Sequence, residues 1–121
     1  MVEDNELNLK LVRGVLEHAG LEVRSVGTAE AALDVAAQQP PDLILMDLQL
    51  PGMDGFAGLA ALRADLATAS IPVVALTALA MPHDRERVRT AGFDGYLEKP
   101  ISVRDLPSQV RAAIVRGRNA S

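Results

Sequence analysis

Cysteine and tryptophan are absent from these 121 residues, and aromatic side chains make up only 2% of them. Without cysteine there is no disulfide framework, no thiolate zinc site and no cysteine nucleophile, which fits a reducing compartment. An excess of basic residues is also missing: 12 Lys+Arg stand against 16 Asp+Glu, a net charge of -4. That balance argues against direct nucleic-acid binding, because neutralising phosphates needs a basic surface. No apolar run approaches the roughly 20 residues that cross a bilayer. Nor is there a positively charged leader followed by an apolar stretch, so the expectation is a soluble cytoplasmic protein with no membrane partner. With only Phe56, Phe93 and Tyr96 as aromatics, Ala, Leu and Val must fill the core. The length is that of one domain, residues 1–121, with no room for a second module of ordinary size.

What is present is an alternation of two patterns. Three short apolar runs end in a polar group: Leu43 to Met46 before Asp47, Val73 to Leu76 before Thr77, and Tyr96 to Leu97 near Lys99. Unalternated runs of this length suit strands covered on both faces, which belong to parallel sheets. Leu21 to Val26 is a fourth, more polar candidate. Between the runs lie helical patterns with caps: Asn5 before Leu9, Val12, Leu16 and Ala19, with Gly20 as the stop, and Thr28 before a helix ended by Pro40 and Pro41. A third helix is expected from Phe56 to Leu66, a fourth from Pro82 to Gly92, and a fifth after the capping pair Ser102 and Asp105, carrying Leu106, Val110, Ala113 and Ile114 on one face. The result is an α/β fold with a parallel sheet and right-handed crossovers. Its first strand is short, since only Met1, Val2 and Glu3 precede Asp4, against about 5 to 6 residues in a mean strand.

In such sheets ligands sit beyond the carboxyl ends of the strands. The residues expected to meet there are Glu3, Asp4, Asp47, Thr77 and Lys99. Crowded carboxylates repel one another, and a divalent cation relieves that repulsion. Mg²⁺ takes oxygen ligands and binds through one or two carboxylates plus a phosphate oxygen. Lys99 is a compact positive charge able to pair with a carboxylate at rest and with a phosphoryl group after reaction. A carboxylate nucleophile, a metal, a lysine and a hydroxyl donor are what an aspartyl phosphate requires.

The ordered set Val2-Glu3-Asp4-Asn5, Asp42 to Asp47 with Leu50-Pro51-Gly52-Met53-Asp54-Gly55, Ala75-Leu76-Thr77-Ala78 and Gly95-Tyr96-Leu97-Glu98-Lys99-Pro100-Ile101-Ser102 resembles the receiver domain of two-component response regulators over essentially the whole chain. Within that family it looks most like the DivK-like group of single-domain receivers. The resemblance implies a (βα)5 doubly wound, five-stranded parallel sheet of flavodoxin-like order 2-1-3-4-5, here with its first strand truncated. It implies that Asp47 is the phosphoacceptor, taking the phosphoryl group from a sensor histidine kinase or a histidine phosphotransfer protein. Mg²⁺ would be held by Asp4, Asp47 and the Gln49 carbonyl, with Glu3 acting through water. Thr77, Lys99 and the amides near Gln49 and Ala78 would hold the phosphoryl oxygens. A cis peptide is implied at Lys99-Pro100. Thr77 and Tyr96 would form a coupled switch that remodels a protein-binding face made by the fourth helix, fifth strand and fifth helix. Gln49 and Leu79 occupy positions at which family members modulate the approach of water, and apolar Leu79 implies slow self-dephosphorylation.

Each residue also has a plainer explanation. Asp4 could cap the first helix, Thr77 could be a strand residue and Lys99 a solvated loop lysine, whereas a carboxylate closing a buried strand, as Asp47 does, is poorly explained by packing. Four such accidents in the right order are hard to combine. His18, His83 and Arg85, Arg87, Arg89, Arg111, Arg116 and Arg118 are read as solvated helix residues, and the apolar Leu79-Ala80-Met81 stretch as a partner surface. The short first strand implies that Glu3 and Asp4 are weakly anchored. Three other readings remain open: a small phosphohydrolase, an interaction module that has kept the fold without phosphorylation, and the receiver fragment of a hybrid histidine kinase. Dimerisation or domain swapping through the shortened central strand is a further expectation.

Overall fold

The computed structural model describes residues 1–50, 52–78, 82–99 and 101–119. In chain order the elements are α1 (Glu6–His18), α2 (Ala29–Gln38), β1 (Ile44–Asp47), α3 (Gly55–Ala64), β2 (Val73–Thr77), α4 (Pro82–Ala91), β3 (Gly95–Glu98) and α5 (Leu106–Asn119).

The local chemistry explains the helix limits. Asn5 accepts from the Asn8 amide and Thr28 from the Ala31 amide, so both side chains occupy orphan donors at a helix start. At the end of α1 the Gly20 amide reaches the Glu17 carbonyl and the Leu21 amide the Leu16 carbonyl, with Gly20 at φ 91°. That pair of bonds needs a left-handed residue, which glycine supplies without a side-chain clash. The third helix starts where expected and ends earlier. Asp54 caps it, so it begins at Gly55, one residue from the expected start. It stops at Ala64, because the extended Asp65 takes the Ala67 amide on its side chain and the Thr68 amide on its carbonyl, leaving Leu66 exposed. Before α5, Ser102 Oγ accepts from the Asp105 amide and donates to Asp105 Oδ2, so the two residues pair as their spacing implied.

Three strands form one parallel sheet in the order β1-β2-β3, with Ile44 beside Val73 and Val74 beside Gly95. Val2 adds isolated parallel bridges to Met46 on one side and Val26 on the other. The candidate strand Leu21 to Val26 is thereby corrected: Val26 alone bridges, and its amide and carbonyl bond to Met1 and Glu3. Beside residues 22–24 the bonding stops at the Met1 ammonium, which donates to the Arg24 carbonyl at 2.7 Å, and no strand is formed there among the described residues. A cavity of about 420 Å³ occupies that place, lined by Leu21, Val23, Ala32, Val35, Leu43 and Val110 among others. The weak anchoring expected here is also corrected for Glu3. The Val2 amide and carbonyl bond to Leu45 and Asp47, and the Glu3 amide bonds to Val26, so the short segment is tied on both sides.

Burial alternates along the strands between two layers. Ile44, Met46, Val73 and Ala75 pack with Ala29, Ala32, Leu59, Leu62 and Val88 on one face. Leu45, Val74 and Leu76 pack with Val12, Leu16, Leu106 and Val110 on the other. Helices α2, α3 and α4 thus cover one side and α1 and α5 the other, which leaves the carboxyl ends of the strands open as the shared edge. The Lys99-Pro100 peptide, Pro51, the Leu79-Ala80-Met81 stretch and the Arg118 side chain lie outside the described residues.

Candidate functional site

Asp47 is the last residue of β1, buried, and held by its amide to the Val2 carbonyl. The chain turns immediately afterwards, and the Gln49 amide donates to Asp47 Oδ1 at 2.9 Å. The start of α3 presses against this turn: a Cβ on Gly55 would stand 2.5 Å from the Asp47 carbonyl oxygen and 2.8 Å from Leu48 Cα. Only glycine permits that approach. The sequence shows Gly55 merely as part of a turn-rich stretch, and its contact with the phosphoacceptor candidate is visible only in three dimensions.

Thr77 closes β2, buried, in the row after Asp47 and Leu76 pair. Its carbonyl accepts from the Lys99 amide at 2.8 Å, which fixes where the lysine leaves β3. From there Lys99 Nζ reaches Asp47 Oδ2 at 2.8 Å and Glu3 Oε2 at 3.0 Å. Glu3 is 1% exposed, and its Oε1 accepts from the Asn5 amide. Its Oε2 has the lysine's charge beside it but no hydrogen bond of good geometry. Glu3, Asp4 and Asp47 each offer a carboxylate oxygen, all within 4.8 Å of one another, with Asp4 exposed. Gln49 and Ala78 are exposed beside the same edge. The structure therefore brings Glu3, Asp4, Asp47 and Lys99 together, with Thr77 joined to Lys99 through its backbone.

The electrostatics follow from this crowding. Burial, opposed by Lys99 and reinforced by Asp47, pushes the Glu3 carboxyl above its ordinary pKa. Burial works against the Lys99 ammonium, but Asp47 and Glu3 outweigh it and hold its pKa above the ordinary lysine value. A single ammonium serves a buried carboxylate pair with a third carboxylate at the rim. An all-oxygen donor set and a buried oxygen lacking a donor fit a hard divalent cation.

The model of the response regulator receiver domain matches residues 1–111 of this chain. The chain belongs to that family. It is 48% identical over 103 residues to the polar-differentiation response regulator DivK of Brucella ovis, covering 85% of this chain and 84% of that protein. A response regulator structure from Chloroflexus aurantiacus superposes with a TM-score of 0.88 at 30% identity, over 95% of this chain and 94% of the other. The receiver domain of a sensor histidine kinase from Pseudomonas aeruginosa PAO1, solved with a magnesium ion in its active-site cleft, gives 0.85 at 35% identity over 94% and 93%. The receiver's fold is flavodoxin-like, and its role is that of a phosphorelay receiver.

Other residues of the receiver add to the sequence reading, and Arg85, Arg87 and Arg111 are exposed as expected. Arg85 and Arg87 of α4 are more than solvated decoration. The Arg85 guanidinium lies over the Tyr96 ring, 5.6 Å from its centre, and that of Arg87 lies 4.8 Å from the centre of Phe56. Arg111 donates to the Ala19 carbonyl at the end of α1. His18 and His83 are exposed, as expected. Among the described residues, no helix is long and apolar enough to cross a membrane.

Proposed function

We propose that Asp47 is the phosphoacceptor of this receiver. The observation that carries the reading is the meeting of Lys99 with both Asp47 and Glu3, with Asp4 at the rim. An Asp47 carboxylate oxygen attacks the phosphorus of a phosphohistidine on a sensor histidine kinase or phosphotransfer protein. A P–O bond forms, the P–N bond breaks, and the departing imidazole nitrogen takes a proton. Lys99 then transfers its pairing from the carboxylate to the phosphoryl oxygens, while the Thr77 hydroxyl and the Ala78 amide donate to them. Asp4, Asp47 and the Gln49 carbonyl would hold Mg²⁺, with Glu3 acting through water. When bound, the ion supplies positive charge against the carboxylates and the incoming phosphoryl group.

The receiver catalyses its own phosphorylation and a slow dephosphorylation and is not a turnover enzyme. We read residues 1–121 as one domain of a cytoplasmic protein. We read the bridges at Val2 and Val26 as the positions of two further strands in a five-stranded order 2-1-3-4-5. Output runs through protein contact at the face of α4, β3 and α5, where Tyr96 is exposed at rest. Thr77 moving toward the phosphoryl group frees space that lets Tyr96 turn inward.

Asp47→Asn keeps the shape of the side chain and removes the nucleophile. Incubation with labelled acetyl phosphate and Mg²⁺ should give an acid-stable, base-labile label on the wild type and none on the variant. Equal labelling of both proteins would refute the assignment.

A further inference from the structure

Helix α4 is strongly charged: Asp84, Arg85, Glu86, Arg87 and Arg89 leave Val88 as the residue that enters the core. A helix with so little apolar anchorage is positioned by its flanks. On one flank Arg87 lies over Phe56 of α3, whose ring meets Phe93 edge-on at 5.8 Å between centres. On the other flank Arg85 makes two contacts with β3. Its guanidinium lies over the Tyr96 ring, and its terminal nitrogen is 2.7 Å from Glu98 Oε1. Tyr96 and Glu98 are two residues apart on a strand, so they project from the same face, and one planar guanidinium serves both. Glu98 is the register partner of Thr77 and the neighbour of Lys99.

We propose that Arg85 is a positioning residue that clamps Tyr96 in its outward orientation and so sets how much of the receiver is in the output conformation before any phosphoryl group arrives. The inference rests on the reading of Thr77 and Tyr96 as a switch. For Tyr96 to turn inward its ring must leave the guanidinium, and the Glu98 contact keeps the guanidinium from following. A clamp made in only one of two conformations shifts their ratio toward that conformation. Both contacts are partly exposed, so the clamp biases the ratio without locking it.

Tyr96 is the only tyrosine of the chain, so its ring resonances are unambiguous. The experiment follows them by NMR in the free protein and with Mg²⁺ and beryllofluoride, a phosphoryl mimic, which together define the two ends of the shift. In Arg85→Gln the free-protein signals should move along that line toward the loaded end, with a rise of about three-fold in the inward population for the loss of one exposed cation–ring contact. Glu98→Gln should move them less, in the same direction. Arg85→Lys, which keeps the charge, should restore part of the wild-type position. Arg87→Gln, on the opposite flank, should leave them in place. Should the wild type shift with beryllofluoride while Arg85→Gln and Glu98→Gln both stay at the wild-type resting position, the clamp is wrong and the switch stands. Absence of any beryllofluoride shift at Tyr96 in the wild type overturns the switch and the clamp together.

Discussion

Lys99 Nζ stands 2.8 Å from Asp47 Oδ2 across 52 residues of sequence, and the same nitrogen stands 3.0 Å from Glu3 Oε2. The first carboxylate ends β1 and the second belongs to the short segment that bridges it, so the ammonium joins the two halves of the site. Because the Lys99 amide is tied to the Thr77 carbonyl, the lysine's approach is set by the sheet itself.

Lys99→Met should therefore uncover repulsion between Glu3 and Asp47. Removing one partner of a buried ion pair costs about 3 to 5 kcal/mol, and the part of the lysine that stays in water brings the expected loss to about 2 kcal/mol. Divalent cations should offset it. Thermal denaturation with increasing Mg²⁺ should raise the midpoint of Lys99→Met more steeply than that of the wild type, while labelling by acetyl phosphate falls. Parallel Mg²⁺ dependences for the two proteins would show that the ammonium and the cation do not share these carboxylates.

Glu3→Gln is expected to separate stability from metal affinity. Its buried Oε2 has no good hydrogen bond, and burial raises the pKa of its carboxyl, so the charge is a burden on the metal-free fold. The amide should stabilise that fold. A group acting on the cation through water typically changes affinity by about 10-fold or more when removed. A titration should thus show weaker Mg²⁺ binding in a more stable protein; tighter or unchanged binding would exclude Glu3 from the metal's surroundings.

Gly55→Ala tests the close approach behind Asp47, the proposed phosphoacceptor. The added Cβ meets backbone atoms of Asp47 and Leu48 that cannot rotate aside, so either α3 or the carboxyl end of β1 must move. Overpacking of this kind costs about 1 to 3 kcal/mol. Phosphoryl uptake should slow as well, because Asp47 sits on the displaced turn. Gly14→Ala is the matching control, since nothing lies within 4 Å of a Cβ there, in the interior of α1. It should stabilise by about 0.5 to 1 kcal/mol without altering uptake. Equal effects of the two substitutions in a denaturation series would remove the special role of Gly55.

Features written in local chemistry were legible in the sequence. The caps at Asn5 and Thr28, the stop at Gly20, the Ser102-Asp105 pair and the apolar runs ending at Asp47 and Thr77 each depend on residues close along the chain. The convergence of Glu3, Asp4, Asp47 and Lys99 was legible because strand ends in a parallel sheet share one edge, whereas their roles come from the family resemblance and stand as proposals. What stayed hidden depends on distant partners. Residues 22–24 have strand composition, yet a strand exists only where another chain segment pairs with it. The end of α3 turned on Asp65 receiving two amides in place of the helix. The ring contacts of the exposed Arg85 and Arg87 stayed hidden because those rings belong to β3 and α3.

A protein prepared to begin at Met1 gives the last prediction, through its N-terminal amine. Met1 donates from its ammonium to the Arg24 carbonyl at 2.7 Å, the position a peptide N–H would take in a continued ladder. Burial, with Arg24 adding to it, lowers the pKa of this amine from 8.0 to about 6. Between those values the unfolded chain holds a proton that the folded chain has shed, so stability should rise as pH increases from 6 to 8 and carry the full cost of the charge below 6. A displacement of that size corresponds to about 2 to 3 kcal/mol. Acetylating the amine keeps the N–H donor and abolishes the titration. Urea denaturation at pH 6 and pH 8 should show that difference in the free-amine protein and little of it after acetylation. An identical pH slope in both forms would mean that the amine reaches water and that the cavity beside it is open to solvent.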